Sequence, residues 1–158
     1  MSEAYLSLGS NMGDRMKNLS RAVSLLNRPD EGVEVVQISP VFETDPVGYK
    51  EQDDFLNICV KVETTLEPLA LLSLCNRIEE ALHRERTIRF GPRTIDVDIL
   101  TYDDLKMTTQ RLTIPHPRMQ ERGFVQVPLL YMQGANEVPE KWAKEVRFYG
   151  VLPKVAVE

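Results

Sequence analysis

The chain has 158 residues, with 19 Lys+Arg against 24 Asp+Glu, a formal net charge of −5. That length suits a single domain over residues 1–158 that folds without a disulfide or metal staple. Hydrophobic content of 42% and charged content of 27% exclude a disordered chain. Mild acidity argues against a nucleic-acid-binding coat, and no apolar run approaches the ~20 residues of a membrane span.

Residues 4–8 alternate, with Ala4, Leu6 and Leu8 on one face and Tyr5 and Ser7 on the other, as in a half-buried strand. The cluster Gly9-Ser10-Asn11-Met12-Gly13-Asp14 follows. It lacks the Gly-Lys-Ser/Thr ending of a phosphate loop and reads as a turn that starts a helix. Leu19, Ala22, Val23 and Leu26 give helical spacing over 15–27, which Pro29-Asp30-Glu31-Gly32 ends. Val33 to Thr44 reads as one strand with a bulge or edge position at Pro40. Residues 45–54 form a long polar loop, a kind of segment that often carries function.

Residues 55–63 read as a strand with Leu56, Ile58, Val60 and Val62 on one face. Phe55, Asn57, Cys59, Lys61 and Glu63 take the other. Pro68 suits the first position of a helix whose stripe is Leu71, Leu74, Cys75, Ile78 and Leu82, ending near residue 83. Cys59 and Cys75 read as two buried reduced thiols, with one disulfide as the alternative, and point to the cytoplasm. Residues 84–93 form an arginine-rich loop, and Thr94 to Tyr102 alternates as a strand. Residues 115–122 suggest a short proline-led helix, 124–132 is apolar, and the last twenty residues carry no firm pattern. The order β-α-β-β-α-β implies an α+β fold: a ferredoxin-like split βαβ, an antiparallel sheet with helices on one face.

Asp96 and Asp98 hold the chemistry most sharply. In a strand they share a face, about 6.5–7 Å apart, where their charges repel unless a dication sits beside them. Hard oxygen donors in a pair suit Mg²⁺ completed by substrate phosphates. The alternative is a solvent-facing strand with accidental acids. Arg84, Arg86, Arg89 and Arg93 just before them weight the choice toward a polyphosphate site over a solvated charge run. His116 sits between Pro115 and Pro117, with Arg118 and Arg122 following at helical spacing. A lone histidine is usually structural, yet these neighbours suit a phosphate contact. Phe55, Asn57 and Phe124 could hold a flat heterocycle, two rings stacking and an amide reading its edge.

Leu8-Gly9-Ser10-Asn11, Thr44-Asp45-Pro46-Val47-Gly48, Asp54-Phe55-Leu56-Asn57, Gly91-Pro92-Arg93-Thr94-Ile95-Asp96-Val97-Asp98 and Pro115-His116-Pro117-Arg118-Met119 together resemble the 6-hydroxymethyl-7,8-dihydropterin pyrophosphokinase family. They span about residues 5–130 in the family's order. The resemblance implies transfer of pyrophosphate from MgATP to the pterin hydroxymethyl group with release of AMP, in folate biosynthesis, by a cytoplasmic enzyme. It implies ATP as co-substrate and two Mg²⁺ ions at Asp96 and Asp98, with catalytic arginines Arg84 and Arg93. Nucleotide contacts are implied for Asn76, Glu79, Arg86, Ile99, Arg111, Leu112, Thr113, His116 and Arg122. Pterin stacking is implied for Phe55 and Phe124, pterin hydrogen bonding for Asn57, and backbone contacts for Thr44, Pro46 and Val47. His83, Phe90 and Asn76 depart from residues common in the family. The expected partners are small molecules alone, with no nucleic acid and no membrane, in a monomer or a dimer. Rival readings are an RNA-binding module on the same fold and a γ-phosphoryl kinase, which would release ADP.

Overall fold

A computed structural model describes residues 1–46, 52–82 and 94–153. Strand β1 (Ser2–Ser10) is buried on the face that Ala4, Leu6 and Leu8 form. The turn after it holds its shape through Asn18, whose amide donates to Ser10 Oγ at 3.2 Å and to the Met12 carbonyl at 2.8 Å. Asp14 caps helix α1 (Arg15–Leu26): its Oδ1 accepts the Lys17 N–H at 3.1 Å, satisfying one of the orphan amides of the first turn. The helix buries Leu19, Ala22, Val23 and Leu26, the stripe its spacing predicts.

The stretch expected as one strand divides at Ser39-Pro40 into β2 (Val33–Ile38) and β3 (Val41–Thr44). Proline cannot donate to a ladder, so pairing stops there and restarts. Both pieces lie along the same edge of β4 (Phe55–Thr64), with Val35 opposite Val62 and Phe42 opposite Asn57. Ser39 bridges the break, since its N–H donates to the Cys59 carbonyl and its Oγ accepts the Cys59 N–H.

Helix α2 (Pro68–Leu82) begins at the proline expected to open it, and β5 (Asp96–Tyr102) follows. A small antiparallel hairpin comes next, β6 (Met107–Thr108) with β7 (Thr113–Ile114). Residues 115–122 form only a single 3-10 turn, Met119–Glu121, rather than the expected short helix. Helix α3 (Gly123–Met132) then carries the apolar run. Pro128 inside it forgoes one helical hydrogen bond, and burial of Val125, Val127 and Pro128 against the sheet holds the helix instead. A last strand, β8 (Val146–Gly150), pairs antiparallel with β3, where the sequence gives no firm pattern.

The sheet order is β5-β1-β4-β3-β8, with β2 also on β4, and every pairing is antiparallel. Strands β1 and β2 flank β4, which gives the split βαβ arrangement of the expected α+β fold. One expectation needs correction, that all helices share a face. Helices α1 and α2 cover the face of Leu6, Leu8, Ile58, Val60 and Val97. Helix α3 covers the opposite one, where Val125 meets Cys59 and Leu100, and Val127 meets Phe42 and Val146. A helix apolar all round can only be buried, and the second sheet face is where it goes.

Candidate active site

The site lies on the α3 side of the sheet. One row across it reads Asp96, Gly9, Asn57, Phe42, each opposite the next on neighbouring strands. The next row places Asp98 opposite Ser7, and Ser7 opposite Cys59. Opposed residues share a face, so Asp96 and Asp98 stand on the face of Asn57, two strands and about 10 Å away from that row's amide. Both acids are half-buried.

Glycine at position 9 makes this row possible. A Cβ there would lie 2.5 Å from Asn57 Nδ2 and 3.4 Å from Phe55 Cδ2, so the Asn57 amide and the Phe55 ring edge converge over the bare backbone. Asn57 is 4% exposed and Thr44 is 3% exposed. The Thr44 hydroxyl donates to Asn57 Oδ1 at 2.6 Å, which fixes which way the amide faces. Its Nδ2 side then presents donors along the row.

An open cleft of about 150 Å³ continues from Thr44 and Asp45 to Arg118, Arg122, Gly123 and Phe124, with Glu145 and Val146 on its wall. The Arg122 guanidinium sits 5.5 Å over the Phe124 ring. Gly123 is closely overlaid: a Cβ there would fall 2.7 Å from the Trp142 ring and 2.9 Å from Val146. Trp142 and β8 therefore seat the start of α3 and the ring that follows it.

His116 joins the acids from the other side. The β1–β5 register slips opposite Ile99 to Thr101, and the Leu100 carbonyl accepts the His116 N–H at 2.8 Å. The Arg118 N–H donates to His116 Nδ1 at 3.2 Å, so the neutral ring carries its proton on Nε2. Burial pushes this imidazole below its ordinary pKa; Asp98 draws it up and Arg122 pushes it down. It is therefore a neutral Nε2–H donor at pH 7, beside a carboxylate and a guanidinium.

Other expected contacts fall as follows. Glu79 accepts the Val97 N–H on its Oε2 at 2.9 Å, which ties α2 to the edge strand that carries both acids. Asn76 is exposed on the same helix. Ile99 is buried on the face that α1 and α2 cover, so only its backbone can reach a ligand on the acids' face. Leu112 packs into the main core, Thr113 is half-buried, and Arg111 is exposed at the hairpin tip that Thr109 fixes through the Arg111 and Leu112 N–H groups. Pro46 is buried next to Asp45. Val47, Arg84, Arg86 and Arg93, with His83, Phe90 and Arg89, lie outside the described residues.

Several residues escape the sequence reading. Asn11, 3% exposed, donates from its amide to Gln52 Oε1 at 2.8 Å and to the Asp53 carbonyl at 2.9 Å, holding the chain just before Phe55. Arg15 donates to Glu43 Oε2 and to the Asp54 carbonyl, both at 3.0 Å. Trp142 and Arg147 also belong here. An amide between a glycine turn and a helix cap is a weak signal for Asn11, and partners about 20 to 100 positions away leave no local pattern.

The donor set suits magnesium. Two half-buried carboxylates on one strand face offer hard oxygens, and among the described residues no group of three or more His, Cys, Asp or Glu could hold a metal alone. A magnesium ion that keeps places for phosphate oxygens needs no more than such a pair.

Residues 5–134 match the 7,8-dihydro-6-hydroxymethylpterin-pyrophosphokinase (HPPK) family. The chain belongs to that family. A 2-amino-4-hydroxy-6-hydroxymethyldihydropteridine pyrophosphokinase of Bacillus subtilis is 49% identical over 126 residues, 80% of this chain and 75% of that protein. One from Methylorubrum extorquens is 46% identical over 129 residues, 82% of this chain and 81% of that protein. The bifunctional protein FolKE of Lactococcus lactis is 42% identical over the whole chain, which spans 42% of that longer protein. A crystal structure of Plasmodium falciparum HPPK-DHPS shares the fold, with a TM-score of 0.64 and 16% identity over 87% of this chain and 42% of that one. This pyrophosphokinase is thus an ATP-dependent diphosphotransferase that uses Mg²⁺ and acts at the pyrophosphokinase step of folate biosynthesis. No helix among the described residues of the pyrophosphokinase is long and apolar enough to cross a membrane.

Proposed function

We propose that the whole chain works as one pyrophosphokinase unit whose row Asp96–Gly9–Asn57 sets the reaction coordinate. The observation that carries this is the shared sheet face: Asn57 and Phe55 converge over Gly9, and the carboxylate pair lies about 10 Å from that amide. The pterin stacks between Phe55 and Phe124, and Asn57, oriented by Thr44, reads its edge; the backbone of Thr44, Pro46 and Val47 supplies further contacts. The hydroxymethyl arm then points along the row toward Asp96 and Asp98.

Asp96 and Asp98 would hold two magnesium ions, which would supply charge neutralisation for the triphosphate. Around them Arg111, Arg122 and the neutral His116 Nε2–H contact phosphates, while Asn76, Glu79, Arg86, Ile99, Leu112 and Thr113 frame the nucleotide. The pterin hydroxyl oxygen forms a bond to the β-phosphorus, and the bond from that phosphorus to the α,β-bridging oxygen breaks, so AMP leaves. The hydroxyl proton departs to phosphate oxygen or solvent. Holding the two reactants in line removes much of the entropic barrier, and Arg84 and Arg93 stabilise the charge that develops. Two free buried cysteines suit a reducing cytoplasm.

The test is a product assay with MgATP and 6-hydroxymethyl-7,8-dihydropterin that resolves AMP from ADP. Pterin-dependent AMP is expected, and ADP would overturn β-attack. Asp96→Asn and Asp98→Asn should each lower turnover by about two orders of magnitude or more, since several kcal/mol of charge stabilisation are lost. Wild-type turnover in either variant would overturn the metal assignment.

A further inference from the structure

The β8 strand lies beyond the residues 5–134 that match the family, yet one of its side chains reaches both strands that carry the ring pocket. Arg147 Nη2 donates to Asp45 Oδ1 and to Asp54 Oδ2, each at 3.1 Å. Its Nε lies 3.9 Å from Glu43 Oε1, whose other oxygen is held by Arg15. Asp45 directly follows Thr44, and Asp54 directly precedes Phe55. Thr44 and Phe55 are themselves opposed across the β3–β4 ladder. The Asp45 N–H also donates to the Glu145 carbonyl at 3.1 Å, which continues the β3–β8 pairing up to the cleft wall.

Three carboxylates, Glu43, Asp45 and Asp54, thus crowd the ends of β3 and β4. Left alone they would repel and splay the two strand ends that carry the Thr44 hydroxyl and the Phe55 ring. A guanidinium presents several donors in a rigid plane and can meet more than one carboxylate. We infer that Arg147 is a positioning residue for the pterin: it clasps Asp45 to Asp54 and so fixes the Thr44–Asn57 hydrogen bond and the Phe55 ring. This rests on the assignment of Thr44, Phe55 and Asn57 to the pterin. Among the described residues its ion pairs are to Glu43, Asp45 and Asp54, none of them an expected nucleotide residue, so its effect falls on the pterin.

Each of its ion pairs is partly solvent-exposed, so the effect is modest. Arg147→Met should raise the KM for 6-hydroxymethyl-7,8-dihydropterin about fivefold. The KM for MgATP, kcat and the melting temperature should stay near wild type. Asp54→Asn removes the same clasp from the other strand and should raise the pterin KM alike. The double variant should be no worse than the worse single one, because both break one contact. An unchanged pterin KM in Arg147→Met would overturn the inference. So would equal losses for both substrates with a lowered melting temperature, or full additivity in the double variant. Wild-type protein whose AMP formation does not depend on pterin would instead refute the pterin site itself.

Discussion

Two residues that take no part in the proposed chemistry still leave a signature in the pH dependence of stability. Cys59 and Cys75 lie on opposite sheet faces, both free and both buried, which settles the choice between thiols and a disulfide. Burial pushes both thiols well above their ordinary pKa; for Cys75 the nearby Glu79 and Asp98 charges add to it. In the unfolded chain a thiol ionises near pH 8.5. Above that pH the unfolded state therefore binds fewer protons than the native state, and stability falls as pH rises. The stabilisation is whole below about pH 8.5 and is lost toward the raised native pKa. At full ionisation each thiol contributes a slope of about 1.4 kcal/mol per pH unit. Urea titrations between pH 9 and 10 should show a decline shallower by about 1 kcal/mol per pH unit in Cys75→Ala than in wild type. Parallel declines would mean that the native thiol already ionises in that range.

At the scale of elements, strands and helices with a one-sided pattern were legible and those without one were not. The β4 alternation separates Leu56, Ile58, Val60 and Val62 from Phe55 and Asn57, and the structure keeps that separation between core and site. Helix α3 has no polar face to set its period, so its place on the second sheet face depends on tertiary packing. Strand β8 owes its position to β3, about 100 residues earlier in the sequence, and no local propensity encodes such a pairing. The contact of Gly123 with Trp142 and Val146 shows how tightly α3 and β8 are joined. Gly123→Ala gains a little helix propensity but forces a methyl into an aromatic ring and a branched side chain. Overpacking of this kind costs about 1–3 kcal/mol. The urea midpoint should fall with an unchanged m-value, and a midpoint at or above wild type would mean that Trp142 yields freely.

For the molecule as a whole, the segment that carries the family's motifs is smaller than the unit that packs. The motif-bearing residues 5–134 supply the acids, the row over Gly9 and the rings of Phe55 and Phe124. The strand that closes one end of the sheet lies past them. Without β8, the second edge of β3 is bare, and the cluster of Phe42, Val127 and Val146 loses Val146 and the covering Trp142. Phe42 also loses its edge-to-face contact with Phe148, at 5.9 Å between ring centres. Val146 is fully buried, and a side chain of this kind is worth about 1.5–3 kcal/mol; partly buried Trp142 adds to it, so the loss is on the order of 3 kcal/mol. That is a large share of the roughly 5–15 kcal/mol of a typical domain. The core under α1 and α2 contains no buried residue from beyond Gly134, only partly buried Leu152 packed against it, so secondary structure should survive. A chain ended after Gly134 should therefore keep far-UV circular dichroism of mixed α/β character, melt at a clearly lower temperature and bind a hydrophobic dye at its uncovered β3 face. Its pterin affinity should fall with the loss of Arg147, Glu145 and Val146. A truncated chain that melts with the full-length protein would show that the Phe42 face closes without β8, and that the stability of this fold resides entirely on the opposite side of the sheet.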